Sequence, residues 1–176
     1  MASRPESITG GCLCGSIRYK IVFPGDAAWP AQAATCQCSI CRKWTGSLIS
    51  HEILIHPSQL VDDISKSVTY KEYHSTESAI RSFCSQCGSG LTWRIIGMDD
   101  MLVIFTGTID EVYLLGKKAD GTEQQTELGV KFEREGGLYK ELTTPNMGHL
   151  FWNNAIPGIT DHETGGTKFL QSFPQE

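Results

Sequence analysis

Seven cysteines lie in three tight clusters, Cys12-x-Cys14, Cys36-x-Cys38-x-x-Cys41 and Cys84-x-x-Cys87. A Cys-x-Cys or Cys-x-x-Cys pair can aim two thiolates at one zinc ion, with each sulfur roughly 2.3 Å from the metal. Four cysteines complete a closed structural site. Three leave a tetrahedral ion with one open corner, the arrangement that catalysis needs. The clusters divide naturally into Cys12, Cys14, Cys84 and Cys87 as a closed zinc site and Cys36, Cys38 and Cys41 as an open, catalytic one. Spacing leaves another grouping open, in which part of the middle cluster joins Cys84 and Cys87 and Cys12 and Cys14 are spare. A single structural zinc with leftover thiols, or simply reduced buried cysteines, are the bland alternatives.

Three thiolates bring a divalent ion to a net charge of about −1, so an open site of this kind should acidify water less than a tris-histidine site does. It remains suited to a soft fourth ligand, such as the thiol of glutathione held as thiolate. Candidate proton-transfer groups by residue type are His51, Glu52, His56, His74 and His149. His51 and Glu52 stand out because they lie on the expected strand after the knuckle. Arg42 and Lys43 follow the ligands directly and could attract a substrate carboxylate, although solvated charges are the commoner use of such positions. Trp44, Trp93 and Trp152 could wall a pocket or simply fill the core.

The elements that must position these residues are short. Ile17, Tyr19 and Ile21 alternate with Arg18 and Lys20, which predicts a half-buried strand over Ser16–Val22. Further strands are expected at Ala33–Cys38, Leu48–Ile55, Ser67–Tyr73, Ala79–Phe83, Leu91–Ile96 and Leu102–Thr106. Gly11, Gly15, Gly88 and Gly90 flank the paired cysteines and would let the backbone turn around a metal and present N–H groups to sulfur. Asp110 to Glu141 is charged and reads as a solvated hairpin, with a mobile cover over a pocket as the functional alternative. An apolar, aromatic section follows, with Phe151, Trp152, Phe169 and Phe173. No long amphipathic helix is visible, so the class is mainly β.

At 176 residues, 40% of them hydrophobic, the chain suits one domain with a proper core. Residues 1–7 are expected to be a loose N-terminal tail and 8–176 a single domain. The net charge of −5 speaks against nucleic acid and anionic membrane as partners, since both attract clustered Lys and Arg. The first residues show no apolar run and no stretch approaches the ~20 apolar residues of a membrane span. A reducing, cytoplasmic location is the corresponding expectation, and it fits thiolates kept on metal. Oligomeric state is not legible.

Gly10-Gly-Cys-Leu-Cys-Gly-Ser-Ile-Arg-Tyr19, Cys36-Gln-Cys-Ser-Ile-Cys-Arg-Lys-Trp-Thr-Gly46 and Arg81-Ser-Phe-Cys-Ser-Gln-Cys-Gly-Ser-Gly-Leu91 together resemble the glutathione-dependent formaldehyde-activating enzyme family, whose domain also occurs in centromere protein V. Thr106 to Asp110 and His149 to Trp152 are similar to weaker features of that family. The resemblance implies a tent-like fold of small antiparallel sheets assembled around zinc. It also implies two zinc ions per chain, structural on Cys12, Cys14, Cys84 and Cys87 and catalytic on Cys36, Cys38 and Cys41. The implied activity is that of a carbon–sulfur lyase, joining or cleaving glutathione and a small aldehyde as in S-(hydroxymethyl)glutathione synthesis. A lyase or dehydratase acting on a larger metabolite, and a non-catalytic zinc-stapled protein-binding module, are the alternatives. Tyr113 to Thr144 is longer and more charged than the family pattern, which bears on the substrate rather than on the zinc ligands.

Overall fold

The computed structural model describes residues 3–174. The chain runs β1 (Ser7–Gly11), β2 (Arg18–Val22), β3 (Gln32–Cys36), α1 (Ser39–Thr45), β4 (Ser50–Ile55), β5 (Tyr70–His74), β6 (Ala79–Cys84), β7 (Gly90–Ile95) and β8 (Leu102–Phe105). It continues with α2 (Glu111–Leu114), β9 (Gly116–Lys118), β10 (Gln124–Thr126), β11 (Gly129–Lys131), β12 (Arg134–Gly136), α3 (Tyr139–Thr143) and β13 (Gly148–Leu150). The architecture is mainly β, as the strand-rich pattern predicts. The largest sheet has seven strands in the order β13-β3-β4-β8-β7-β6-β5, and all its neighbours are antiparallel except β13 and β3.

Pairing begins at Ser7, inside the stretch expected to be a loose tail, and the Glu6 carbonyl already accepts from the Phe23 N–H at 3.0 Å. Met1 and Ala2 of that stretch lie outside the described residues. β1 and β2 form a hairpin that buries Ile8, Ile17, Tyr19 and Ile21 while Arg18 and Lys20 stay exposed. These side chains join Ile53, Ile55, Leu91 and Ile104 of the large sheet and Leu142 of α3 in the main core. Burying each aliphatic side chain contributes about 1.5–3 kcal/mol, so this apolar face fixes the hairpin on the sheet. Close approach requires Gly10, where a Cβ would stand 2.4 Å from the Tyr19 ring.

β3 ends at Cys36, earlier than the pattern suggests. Gln37 turns to bond Leu150 through its N–H at 3.1 Å, and Cys38 becomes the N-cap of α1. Likewise β5 starts at Tyr70 rather than Ser67, because Ser67 and Thr69 hydroxyls bond the turn at Ser16. The charged segment after Asp110 folds into β9 with β12 and β10 with β11, all but Gly116 exposed. Phe132 sits between Lys118 and Arg134, each 5.1 Å from its ring. Among the described residues no helix is long and apolar enough to cross a membrane.

Candidate metal centres and active site

The fold sorts the seven cysteines into two groups. Sγ atoms of Cys12, Cys14, Cys84 and Cys87 lie within 4.8 Å of one another, and so do those of Cys36, Cys38 and Cys41. The alternative grouping that spacing had left open is therefore not the one the backbone assembles. All seven are free thiols.

The four-thiol group is made by two hairpin turns. Cys12 and Cys14 occupy the β1–β2 connection, while Cys84 ends β6 and Cys87 lies in the β6–β7 connection. Gly15 and Gly88 each take φ +78°, the left-handed conformation that lets each turn close on its cysteines. Gly11 and Gly90 serve instead as points of close approach, to Ile17 and to Trp44. The Ile17 N–H donates to Cys12 Sγ at 3.3 Å, and Ser16 and Ser89 hydroxyls lie 3.1 and 3.3 Å from Cys14 and Cys87. Cys84 is drawn down to about 5: burial opposes this, but Ser16, the Cys87 N–H and Thr69 favour the thiolate. Ser89 draws Cys87 down to about 7. Sulfur separations of 3.6 Å (Cys12–Cys14) and 3.8 Å (Cys14–Cys84) match the roughly 3.8 Å edge of a zinc–thiolate tetrahedron with 2.3 Å bonds. The donor set thus fits zinc.

The three-thiol group comes from one knuckle. Cys36 ends β3, Cys38 caps α1 by accepting from the Cys41 N–H at 3.3 Å, and Cys41 sits in the first turn of that helix. Cys36 and Cys41 are buried and Cys38 half-buried. Contacts with Cys38 and Cys41, and then burial, push the Cys36 thiol up. Cys38's own contacts, with Cys36 first and then Cys41, hold it down at about 2. The bond to Cys36 would lower Cys41, but Cys38, burial and the Glu52 charge outweigh it and push Cys41 up to about 12. Unaided, the cluster favours one thiolate; a divalent cation would let all three ionise.

Two buried charged residues adjoin this group. Glu52 Oε1, from β4, lies 3.7 Å from Cys41 Sγ and accepts from the Ser50 hydroxyl at 2.8 Å. Burial pushes its carboxyl above the usual carboxylate range. Ser50, the Trp93 indole N–H (near the carboxylate but short of full hydrogen-bond geometry), Cys41 and the Arg81 charge pull the other way. Arg81, from β6, aims Nη2 at Cys41 Sγ from 3.6 Å, bonds the Ser75 hydroxyl through Nη1 and stacks 5.7 Å over Trp93. Its Nε has no partner among the described residues.

Of the pair singled out on β4, Glu52 meets the thiols. His51, one position away and so on the opposite face, feels Glu163 and His149; burial, the largest influence, pushes it below the usual imidazole range. His149 is fully buried, its Nε2 donating to the Gly165 carbonyl at 2.9 Å and its Nδ1 meeting the Thr35 hydroxyl at 2.7 Å. With both nitrogens committed, it fastens β13 rather than moving protons. His56 caps a turn and His74 is exposed. Arg42 bonds the Leu48 and Asn154 carbonyls and Gln37 Oε1, which braces the knuckle, while Lys43 is exposed. Trp44 lines a cleft of about 440 Å³ with Ser50, His51 and Phe105.

Arg81 escaped residue-by-residue reading, although it opens the Arg81-Ser-Phe-Cys84 stretch. Phe169 and Phe173 also escaped as site residues. They pack with Leu150 and Phe151 against Cys36, Cys38 and Cys41. No part of Tyr113 to Thr144 joins that cluster, so the covering segment lies elsewhere than the charged hairpin.

Residues 7–127 match the family model described as glutathione-dependent formaldehyde-activating enzyme. A Halomonas elongata protein whose name assigns it, provisionally, to that activity is 30% identical over 93 residues, 48% of this chain and 54% of its own. The chain thus spans about half the length of that curated relative. A solved Rhodobacter sphaeroides protein aligns at TM-score 0.46 and 19% identity, over 58% of this chain and 88% of that one, a likeness too slight to bear on function.

Proposed function

Because the chain belongs to the glutathione-dependent formaldehyde-activating enzyme family, we propose that it is a zinc-dependent carbon–sulfur lyase that joins, and in reverse separates, a thiol and a small aldehyde. The observation that carries this reading is the buried carboxylate of Glu52 set 3.7 Å from one of three clustered thiols. Cys36, Cys38 and Cys41 would hold the catalytic ion, and Cys12, Cys14, Cys84 and Cys87 the structural one, giving two per chain. The catalytic zinc would supply a Lewis-acidic position at which an incoming sulfur can stay deprotonated near neutral pH.

The chain's own groups account for the rest. Glu52 is placed to accept the proton of the incoming thiol and to return it to the carbonyl oxygen as the carbon–sulfur bond forms. The balance is one thiol plus one aldehyde giving one hydroxyalkyl thioether, with no redox change. Ser50 holds the carboxylate in position through its 2.8 Å hydrogen bond. Arg81 offsets negative charge at Cys41 and orients its sulfur by the N–H···S contact. Glutathione and formaldehyde are the first reactants to try, and a cytoplasmic location suits thiol chemistry.

The test is exchange spectroscopy on carbon-labelled formaldehyde with glutathione and zinc-loaded protein. Interconversion with S-(hydroxymethyl)glutathione should run well above the spontaneous rate and fall back to it in Cys38→Ser. Exchange at the spontaneous rate for glutathione and for a panel of other thiols and aldehydes would overturn the reading.

A further inference from the structure

Residues 167–173 run along the edge of β13 and lie over the three-thiol group. His149 donates its N–H to the Thr167 carbonyl at 2.8 Å, and Phe169 donates back to His149 at 2.8 Å. Phe151 and Trp152 donate to the carbonyls of Gln171 and Phe169 at 2.8 and 2.9 Å. Lys168 Nζ sits 4.0 Å over the Trp152 ring. Such close seating needs Gly148, where a Cβ would meet the Thr167 carbonyl oxygen at 2.6 Å and the Phe169 ring at 2.7 Å. Phe169 and Phe173 then meet edge to face, centroids 5.3 Å apart, and press on the cysteines.

Burial identifies the approach to the sulfurs. Ser50, Glu52 and Arg81, the polar groups gathered at Cys41, are 2%, 2% and 4% exposed, so solvent has no path to the sulfurs past their outer faces. The cleft at Trp44 and His51 reaches Ser50 but is lined by none of the three cysteines. The groups of this cluster that solvent reaches are the half-buried ones: the Cys38 thiol and the rings of Phe151, Phe169 and Phe173. A reactant arriving from solvent at Cys38 therefore meets aromatic faces first. The segment also lies beyond residues 7–127, which carry the family likeness.

We propose that Phe169 and Phe173 are specificity-determining residues, a cover that admits reactants slender at the reacting atom, such as the CH2–SH of glutathione, and discriminates against those that carry a bulky, charged ring directly on it. This rests on the three-thiol group being the reactive centre. A desolvated aromatic wall gives a charged group nothing in exchange for its hydration, whereas an apolar substituent gains contact. Lys168, the nearest cation on the segment, already faces Trp152 and does not relieve that cost.

The test needs no turnover. Zinc-loaded protein is treated with iodoacetamide, small and neutral, or with an anionic aryl disulfide, and labelling of the Cys36–Cys41 and Cys14 peptides is timed by mass spectrometry. Phe169→Ala with Phe173→Ala should speed the anionic reagent at the three-thiol group by about tenfold or more, and iodoacetamide by less than about twofold, as loss of a size-and-polarity filter requires. Cys14 rates should not change. Phe169→Leu with Phe173→Leu, which keeps apolar bulk, should fall between wild type and the alanine pair and guards against a variant that does not fold. Unchanged rates, or equal acceleration of both reagents or both groups, would overturn the proposal. Selective labelling without any thiol–aldehyde exchange would instead count against the lyase reading alone.

Discussion

The four-thiol group draws its sulfurs from two hairpin turns, Cys14 and Cys84 standing 70 residues apart, whereas the three-thiol group takes all of its sulfurs from a single knuckle. A metal in the first would close a long loop and hold the β1–β2 hairpin to the large sheet, so its binding free energy becomes folding free energy. Within the knuckle, an ion would tie together residues that β3 and α1 already place, and would contribute little to global stability. Surroundings differ in the same sense. Hydroxyls and backbone N–H groups adjoin the quartet, whose Cys14 is exposed, while the trio, which has no exposed member, has a carboxylate, a guanidinium and aromatic rings around it. Ligand number matters less here than what each set of ligands connects.

The sharpest test of that contrast is a pair of substitutions. Cys38→Ser should abolish thiol–aldehyde exchange and lower zinc from two ions to one, with the melting temperature nearly unchanged. Cys84→Ser should cost at least about 3 kcal/mol of stability by denaturant unfolding, with activity lost only as the fold is lost. The reverse pattern would exchange the roles of the two groups. Next in size, Glu52→Gln should slow exchange by about 10²–10⁴-fold, as loss of a positioned acid–base group does, with both zinc ions retained. Retained activity would remove the carboxylate from the mechanism.

A smaller effect is expected at Arg81. Arg81→Met should weaken zinc at the trio by about tenfold to a hundredfold in chelator competition and shift the sulfur-to-cobalt absorption of the cobalt form, with Arg81→Lys partly restoring both. Equal loss at both groups would mark Arg81 as merely structural. Smallest is Asp110, where the hydrogen bond from Arg18, then that from Thr9, holds the carboxyl below its ordinary value. A depressed carboxylate stabilises above its unfolded pKa, so this contribution is present above the ordinary Asp value and disappears as pH falls through the lower folded one. Asp110→Asn should cost about 0.5–1 kcal/mol at neutral pH and nothing in strong acid, by urea unfolding.

What the chain discloses before folding follows the range of each interaction. The knuckle and the paired cysteines are legible because ligand spacing is local, and β2 because alternation is a two-residue signal. Residue order does not display that Arg81 reaches Cys41, since the contact depends on register through β7, β8 and β4. Nor does it display that Phe169 covers Cys36, because an aromatic run carries no mark of its distant partner. His149 looked like a proton carrier by type. Burial and two committed nitrogens gave it another task.

The parallel pairing of β13 with β3 has a consequence for assembly order. Thr35 and His149 stand 114 residues apart, and the aromatic cover follows β13 still later in the chain. Contacts of such separation carry the largest loop-closure cost and form late, while six neighbouring residues organise a knuckle almost at once. If Cys36, Cys38 and Cys41 hold an ion, a nascent chain would be able to take it up while the centre is still open to solvent. The rings could close over it only once synthesis had passed Phe173, so an ion at this centre would be easier to deliver to the maturing polypeptide than to the finished protein.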